Sequence, residues 1–209
     1  PASTADTISQ NLVRTAFKKK REALRDLLRS QDIQNAVIFC NRKRDISTLL
    51  SSMKRHGFSA TGLHGDMTQS ARLAALDEFK NGQIPLLVAS DVAARGLDIP
   101  SVSHVFNFDV PSNAEDYVHR IGRTGRAGRH GHAFTLIAGE DDEKAILAIE
   151  KLTGRSIPVL SNTDWQSKKE HPTDNAGKSA KKHRESRTLN KTASDQLGPE
   201  EKNPDKVDK

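Results

Sequence analysis

The chain has 209 residues, of which only 34% are hydrophobic and 29% charged, with a formal net charge of +6. An ordinary globular protein is roughly 45–50% apolar, and here the deficit is local. From Thr163 to Lys209 the only apolar residues are Trp165, Ala176, Ala180, Leu189, Ala193, Leu197 and Val207. Residues 1–160 are therefore expected to carry the fold, and 161–209 to form a polar, basic, disordered tail. The lone Cys40 excludes an internal disulfide framework and a multi-cysteine zinc site. No apolar run approaches the roughly 18–20 residues that span a bilayer. The start, Pro1-Ala2-Ser3-Thr4, lacks an initiator Met and any signal-peptide character, so a soluble, cytoplasmic protein cut from a longer one is expected.

Along residues 1–160 short apolar runs alternate with helical patterns. The runs Leu12–Phe17, Ala36–Cys40, Phe58–Leu63, Leu86–Ser90, Val102–Phe108 and Ala133–Ile137 are mostly rich in Val, Ile and Phe, as strands are. Between them, Glu22–Arg29, Asp45–Arg55, Ser70–Lys80, Asn113–Ile121 and Asp141–Leu152 read as helices; Ile46, Leu49, Leu50 and Met53, for example, repeat at three and four. This alternation predicts an α/β fold with a mostly parallel sheet and helices on both faces. Function in such a sheet gathers past the C-terminal strand ends.

Those ends carry Asn41-Arg42-Lys43-Arg44, then His64-Gly65-Asp66 with Gln69 and Arg72, then Ser90-Asp91 through Arg95, Gly96 and Asp98. Each offers a small or polar residue, backbone amides and a cation, which together suit the successive phosphates of a nucleic acid strand. Taken singly, Arg72 also reads as a solvated helix residue, and Ser90-Asp91 as an N-cap pair.

The sharpest feature is Arg120–Gly131, four Arg-x-Gly triplets with arginines at 120, 123, 126 and 129. Arginine presents a planar fork to phosphate, and glycine lets backbone approach closely. A helical run leads into the segment and a strand, His132–Ile137, leaves it, so a structured loop with aimed arginines is expected. Aimed arginines suggest phosphoryl transfer. The phosphate-cradling pattern Gly-x-x-x-x-Gly-Lys-Ser/Thr is missing, however, as is an acid pair for Mg²⁺, so half of an active site is predicted. The acidic run Glu140–Glu143 reads as a helix start, His130-Gly131-His132 as loop rather than metal ligands, and Cys40 as core filler. Trp165 either packs its edge or stacks on a base, and the basic knot Lys178–Arg187 either tethers RNA or solubilises.

These residues resemble a known family. Ala36-Val-Ile-Phe-Cys-Asn41, His64-Gly-Asp66 with Gln69 and Arg72, Ser90–Asp98 and Tyr117–Gly128 are similar to motifs IV, IVa, V and VI of DEAD-box RNA helicases, in order, over about residues 8–158. The stretch Ala138–Pro158 most resembles bacterial RhlE-type members. The resemblance implies the second RecA-like domain, a three-layer α/β sandwich, of an ATP-dependent RNA helicase that is inactive as this piece alone. It assigns Arg123 and Arg126 as arginine fingers to ATP and His119 as a link from nucleotide to domain interface. Gly96 and Asp98 fall near the ribose; Asn41, Gly65, Gln69, Arg72, Ser90 and Arg95 fall on the RNA backbone. Serine replaces the usual Thr at 90. ATP and Mg²⁺ would be held mainly by a missing N-terminal RecA-like domain, and RNA and ribosomal or RNA-decay assemblies are the implied partners, with no membrane and no metal ligand in this chain. A free-standing RNA-binding module and a DNA-directed helicase half are the competing readings.

Overall fold

The computed structural model describes residues 6–161, so the expected tail and Trp165 lie outside the described residues. Six strands, β1 (Ile8–Arg14), β2 (Ala36–Phe39), β3 (Ala60–Leu63), β4 (Leu86–Ala89), β5 (His104–Asn107) and β6 (Gly131–Ile137), form one sheet in the order β1-β6-β5-β2-β4-β3. Every pairing is parallel. The helices are α1 (Lys20–Ser30), α2 (Lys43–Arg55), α3 (Gln69–Lys80), α4 (Asp91–Ala94), α5 (Ala114–Ile121) and α6 (Glu140–Thr153). None is long and apolar enough to cross a membrane.

The central strands are buried on both faces, which is why they read as unbroken apolar runs. Alternation sends Val37, Phe39, Leu87, Ala89 and Val105 toward α3, α4, α5 and α6. Ala36, Ile38, Cys40, Leu86, Val88 and Phe106 face α1 and α2, where Leu24, Leu27, Ile46, Leu49 and Met53 meet them. Burial pushes the Cys40 thiol well up, as suits core filler.

Two expectations are corrected. The first strand is Ile8–Arg14, not Leu12–Phe17. It pairs with β6 from Ile8↔Gly131 to Arg14↔Ile137, and where β6 ends the chain turns into a short 3-10 helix, Phe17–Lys19. Polar Ser9, Gln10 and Asn11 hide the strand's start in the sequence; Gln10 is explained by the buried Tyr117, whose hydroxyl donates to its Oε1 at 2.8 Å. The outer edge of β1 is covered by residues 158–160, with Leu12 N on Pro158 O and Leu160 N on Leu12 O, both 2.8 Å. Second, β6 starts at Gly131, so of the expected loop His130-Gly131-His132 only His130 lies outside the strand, while the strand reading of His132–Ile137 holds. The His132 ring stacks on His104 at 4.9 Å, which continues the ladder of Phe106 and Phe134.

Candidate functional site

At the C-terminal strand edge, one buried side chain organises its neighbours. Arg120, 1% exposed, donates Nε and Nη2 to the two carboxylate oxygens of Asp91 at 2.7 and 2.6 Å. It also donates to Asn41 Oδ1 and Asp109 O at 2.7 Å and to Asn107 Oδ1 at 3.4 Å. One guanidinium thus joins the ends of β2, β4 and β5, and its plane lies over the Phe39 ring at 5.2 Å. Of the triplet arginines expected to be aimed, Arg120 is thus aimed inward, at the domain's own strand ends. The signal was present: Arg120 follows Tyr117 by three and precedes Ile121, so it falls on the buried face of α5.

The rest of the Arg-Gly segment is a structured loop, as expected. Thr124 Oγ1 donates to Ser103 O at 3.1 Å, and Val102 N donates to Arg123 O at 3.0 Å. Thr7 clamps the far side, its hydroxyl donating to Gly125 O at 2.7 Å while its carbonyl accepts Gly131 N at 2.9 Å. A Cβ on Gly125 would strike Ile8 and Thr7, and one on Gly131 would strike Thr124. Beyond this clamp the tip is exposed, carrying Arg126 and Arg129 into solvent.

Between α4 and α5 lies a cavity of about 320 Å³ that brings together Arg95, Gly96, His119 and Arg123, with Asp91 and Asp116. The first four are site residues expected from the sequence; Asp116, which organises two of them, is not. This carboxylate accepts from Arg95 Nη2 at 2.7 Å and stands 3.9 Å from His119 Nδ1, so it links two separated motifs. Arg123 makes no side-chain hydrogen bond or ion pair among the described residues. Burial first, then repulsion from Arg126, lowers its pKa, against attraction from Asp98. Arg126 donates Nε to Gly122 O but leaves its fork in solvent. Asp98 lies outside the cavity lining, exposed and paired with Lys80 Nζ at 3.1 Å.

The expected backbone track is a braced edge. Asn41 spends its amide on Arg120 and on Val110 O. Ser90 caps α4 by accepting Ala93 N at 3.4 Å, so the N-cap reading of Ser90-Asp91 holds in the structure. Arg72 donates Nη2 to Ala93 O at 2.8 Å and Nη1 to Gln69 Oε1 at 3.4 Å. Gly65 and Gln69 are exposed, and Lys43 pairs with Asp66 at 2.8 Å between the β2 and β3 ends. His64 Nδ1 and Arg72 Nε, both at this edge, are buried without a hydrogen-bond partner among the described residues. Among the described residues no group of three or more His, Cys, Asp or Glu could hold a metal.

Comparison with known proteins decides the family. Residues 19–128, just over half of the chain, match the helicase conserved C-terminal domain. The chain belongs to the DEAD-box helicases, as their C-terminal RecA-like domain. It is 48% identical over 155 residues to the DEAD-box ATP-dependent RNA helicase CshA of Bacillus subtilis, covering 74% of this chain and 31% of that protein. The corresponding Listeria monocytogenes helicase is 44% identical over 163 residues, 78% and 31% of the two chains. These relatives bear CshA rather than RhlE names. The chain thus spans about a third of the length of the curated relatives it matches. Among solved structures, the C-terminal domain of the DEAD-box protein Dbp5 superposes with a TM-score of 0.73 at 32% identity, over 78% of this chain and 96% of that one. Escherichia coli SrmB, solved bound to RraA, gives 0.70 at 34%, over 76% and 93%. Saccharomyces cerevisiae Dbp5 bound to RNA and ADP BeF3 gives 0.72 at 31%, over 79% and 45%.

Proposed function

We propose that this helicase domain completes a two-domain, ATP-dependent, RNA-stimulated motor whose other half supplies the phosphate cradle and the Mg²⁺ ligands. Arg123 and Arg126 act as arginine fingers toward the γ-phosphate, with His119 relaying between nucleotide and domain interface and Gly96 and Asp98 beside the ribose. Asn41, Gly65, Gln69, Arg72, Ser90 and Arg95 line the path of the RNA backbone. Ser90 Oγ, which accepts Ala93 N, and Arg72 Nη2, which donates to Ala93 O, help hold that path's shape, while Arg72 Nε stays unpartnered at the edge among the described residues. A cytoplasmic location belongs to the same reading.

The observation that carries it is the unpaired Arg123 guanidinium in a concave site beside Gly96 and His119. A fork-shaped cation left free there suits a phosphate arriving from outside, and the charge that builds on a transferred phosphoryl group is what such an arginine stabilises. A free-standing Arg/Gly module has less support, since Thr7 and Val102 clamp the loop. The deciding experiment is ATP turnover, with and without RNA, for this chain alone and for the chain joined to its upstream half. Silence alone and RNA-stimulated turnover when joined are expected. Turnover by this chain alone would overturn the half-site reading.

A further inference from the structure

The face carrying α1 and α2 bears a second groove, of about 650 Å³, between the starts of those two helices. Its apolar floor is Phe17, Phe108 and Leu49, and its rim is Lys18, Arg21, Arg42 and Arg44. Phe17 is 78% exposed, a large apolar ring left in water. Lys18, Arg21 and Arg42 have no side-chain partner among the described residues, and Arg44 reaches only Asp45, at 3.9 Å. The groove's other acid, Asp109, is taken up by Lys20 at 3.1 Å and by the Asn41 backbone N–H. The groove therefore keeps a surplus of positive charge around an exposed aromatic ring.

A ligand that answers both features carries repeated anionic groups and flat apolar faces, as a single strand of nucleic acid does. The groove's position points the same way. Arg42 follows directly on Asn41, so the groove continues the backbone path along the strand-end edge. We propose that this groove holds the single-stranded RNA that runs on past Asn41, with a base stacked on Phe17 and phosphates on Lys18, Arg21 and Arg42. The inference rests on the RNA-path reading above and lengthens that path.

The test measures binding of the 209-residue chain to a short oligouridine of about six nucleotides and a long one of about twenty, across salt concentrations. The variants are Phe17→Ala and the double Lys18→Glu, Arg21→Glu, all at exposed positions. The double change should leave the short oligomer's affinity unaltered, weaken the long one, and reduce its salt slope by about 1.4, at roughly 0.7 for each phosphate no longer neutralised. Phe17→Ala should weaken the long oligomer roughly 5- to 150-fold while keeping the slope. Long-oligomer affinity untouched by both variants would overturn the proposal. So would a polyglutamate peptide that displaces the long oligomer equally well from wild type and Phe17→Ala, which would make the groove a surface for acidic protein. A Gln69→Ala control separates the two readings. If it changes neither oligomer while the groove variants still act on the long one, the groove stands and Gln69 leaves the RNA path.

Discussion

Arg120 and Asp91 meet fork to fork, with donor–acceptor distances of 2.7 and 2.6 Å, and the guanidinium is almost wholly out of water. The pair fastens the start of α4 to α5, and so sets one wall of the cavity against the other. Breaking a buried pair by removing one partner strands the other charge, at a cost of roughly 3–5 kcal/mol. Arg120→Ala is expected to lose about that much in urea unfolding of this chain. Arg120→Lys should recover only part, because an ammonium cannot span both carboxylate oxygens. A lysine variant as stable as wild type would show that the bidentate geometry contributes nothing.

Arg126 is the converse case, an exposed side chain whose fork makes no hydrogen bond or ion pair among the described residues. Arg126→Ala should leave unfolding within about 0.5 kcal/mol of wild type. In the protein joined to its upstream half, the same change should lower ATP turnover by roughly 10³–10⁵. Turnover within tenfold of the parent would remove Arg126 from the catalytic assignment.

Arg120 and Arg126 also mark how far this domain is legible in its sequence. The central strands are plain, because burial on both faces leaves unbroken apolar runs such as Leu86–Ala89. Gly96, His119 and Arg123, read as neighbours of the nucleotide, line one cavity at the strand-end edge, and Arg95, read as an RNA-backbone residue, lines it with them. What escapes is decided by partners distant in the chain. Asp116 gains its role only by meeting Arg95, and Gln10 sits in a strand because Tyr117 crosses to it. Phe17 is apolar enough to pass for strand, yet β6 offers no pairing partner past Ile137, so the ring turns out to solvent. The predicted helix Asn113–Ile121 already includes Arg120, but its burial there is set by Asp91 and Asn41, partners distant in the chain.

His104 gives the fold a pH dependence with a definite sign. Desolvation first, then repulsion from His132, holds its pKa down to about 4 against the ordinary 6.5, with Asp32 opposing. Between those values the unfolded chain takes up a proton that the folded one refuses. Stability should therefore be unaffected by this group above about pH 7 and fall as the pH drops from about 6.5 toward 4. Urea midpoints compared at about pH 7.5 and about pH 5 should diverge less in His104→Phe, which keeps the ring ladder with Phe106 and Phe134 but cannot titrate. Equal pH sensitivity in the two proteins would place the dependence elsewhere.

Gly125 and Gly128 have nearly the same backbone, φ +67° and +73°, but different surroundings. A methyl at 128 meets open space, whereas a methyl at 125 runs into Ile8 and Thr7. Gly128→Ala should therefore carry only the conformational cost of a left-handed residue, roughly 1–2 kcal/mol. Gly125→Ala must in addition push the loop off β1, loosening the Thr7 clamp that sets where Arg126 projects. Unfolding of both variants should show the larger loss at 125. In the joined protein, turnover at a temperature where both remain folded should fall markedly for Gly125→Ala and little for Gly128→Ala. Equal losses in both measurements would mean that backbone conformation alone, and not the clamp on β1, controls the loop.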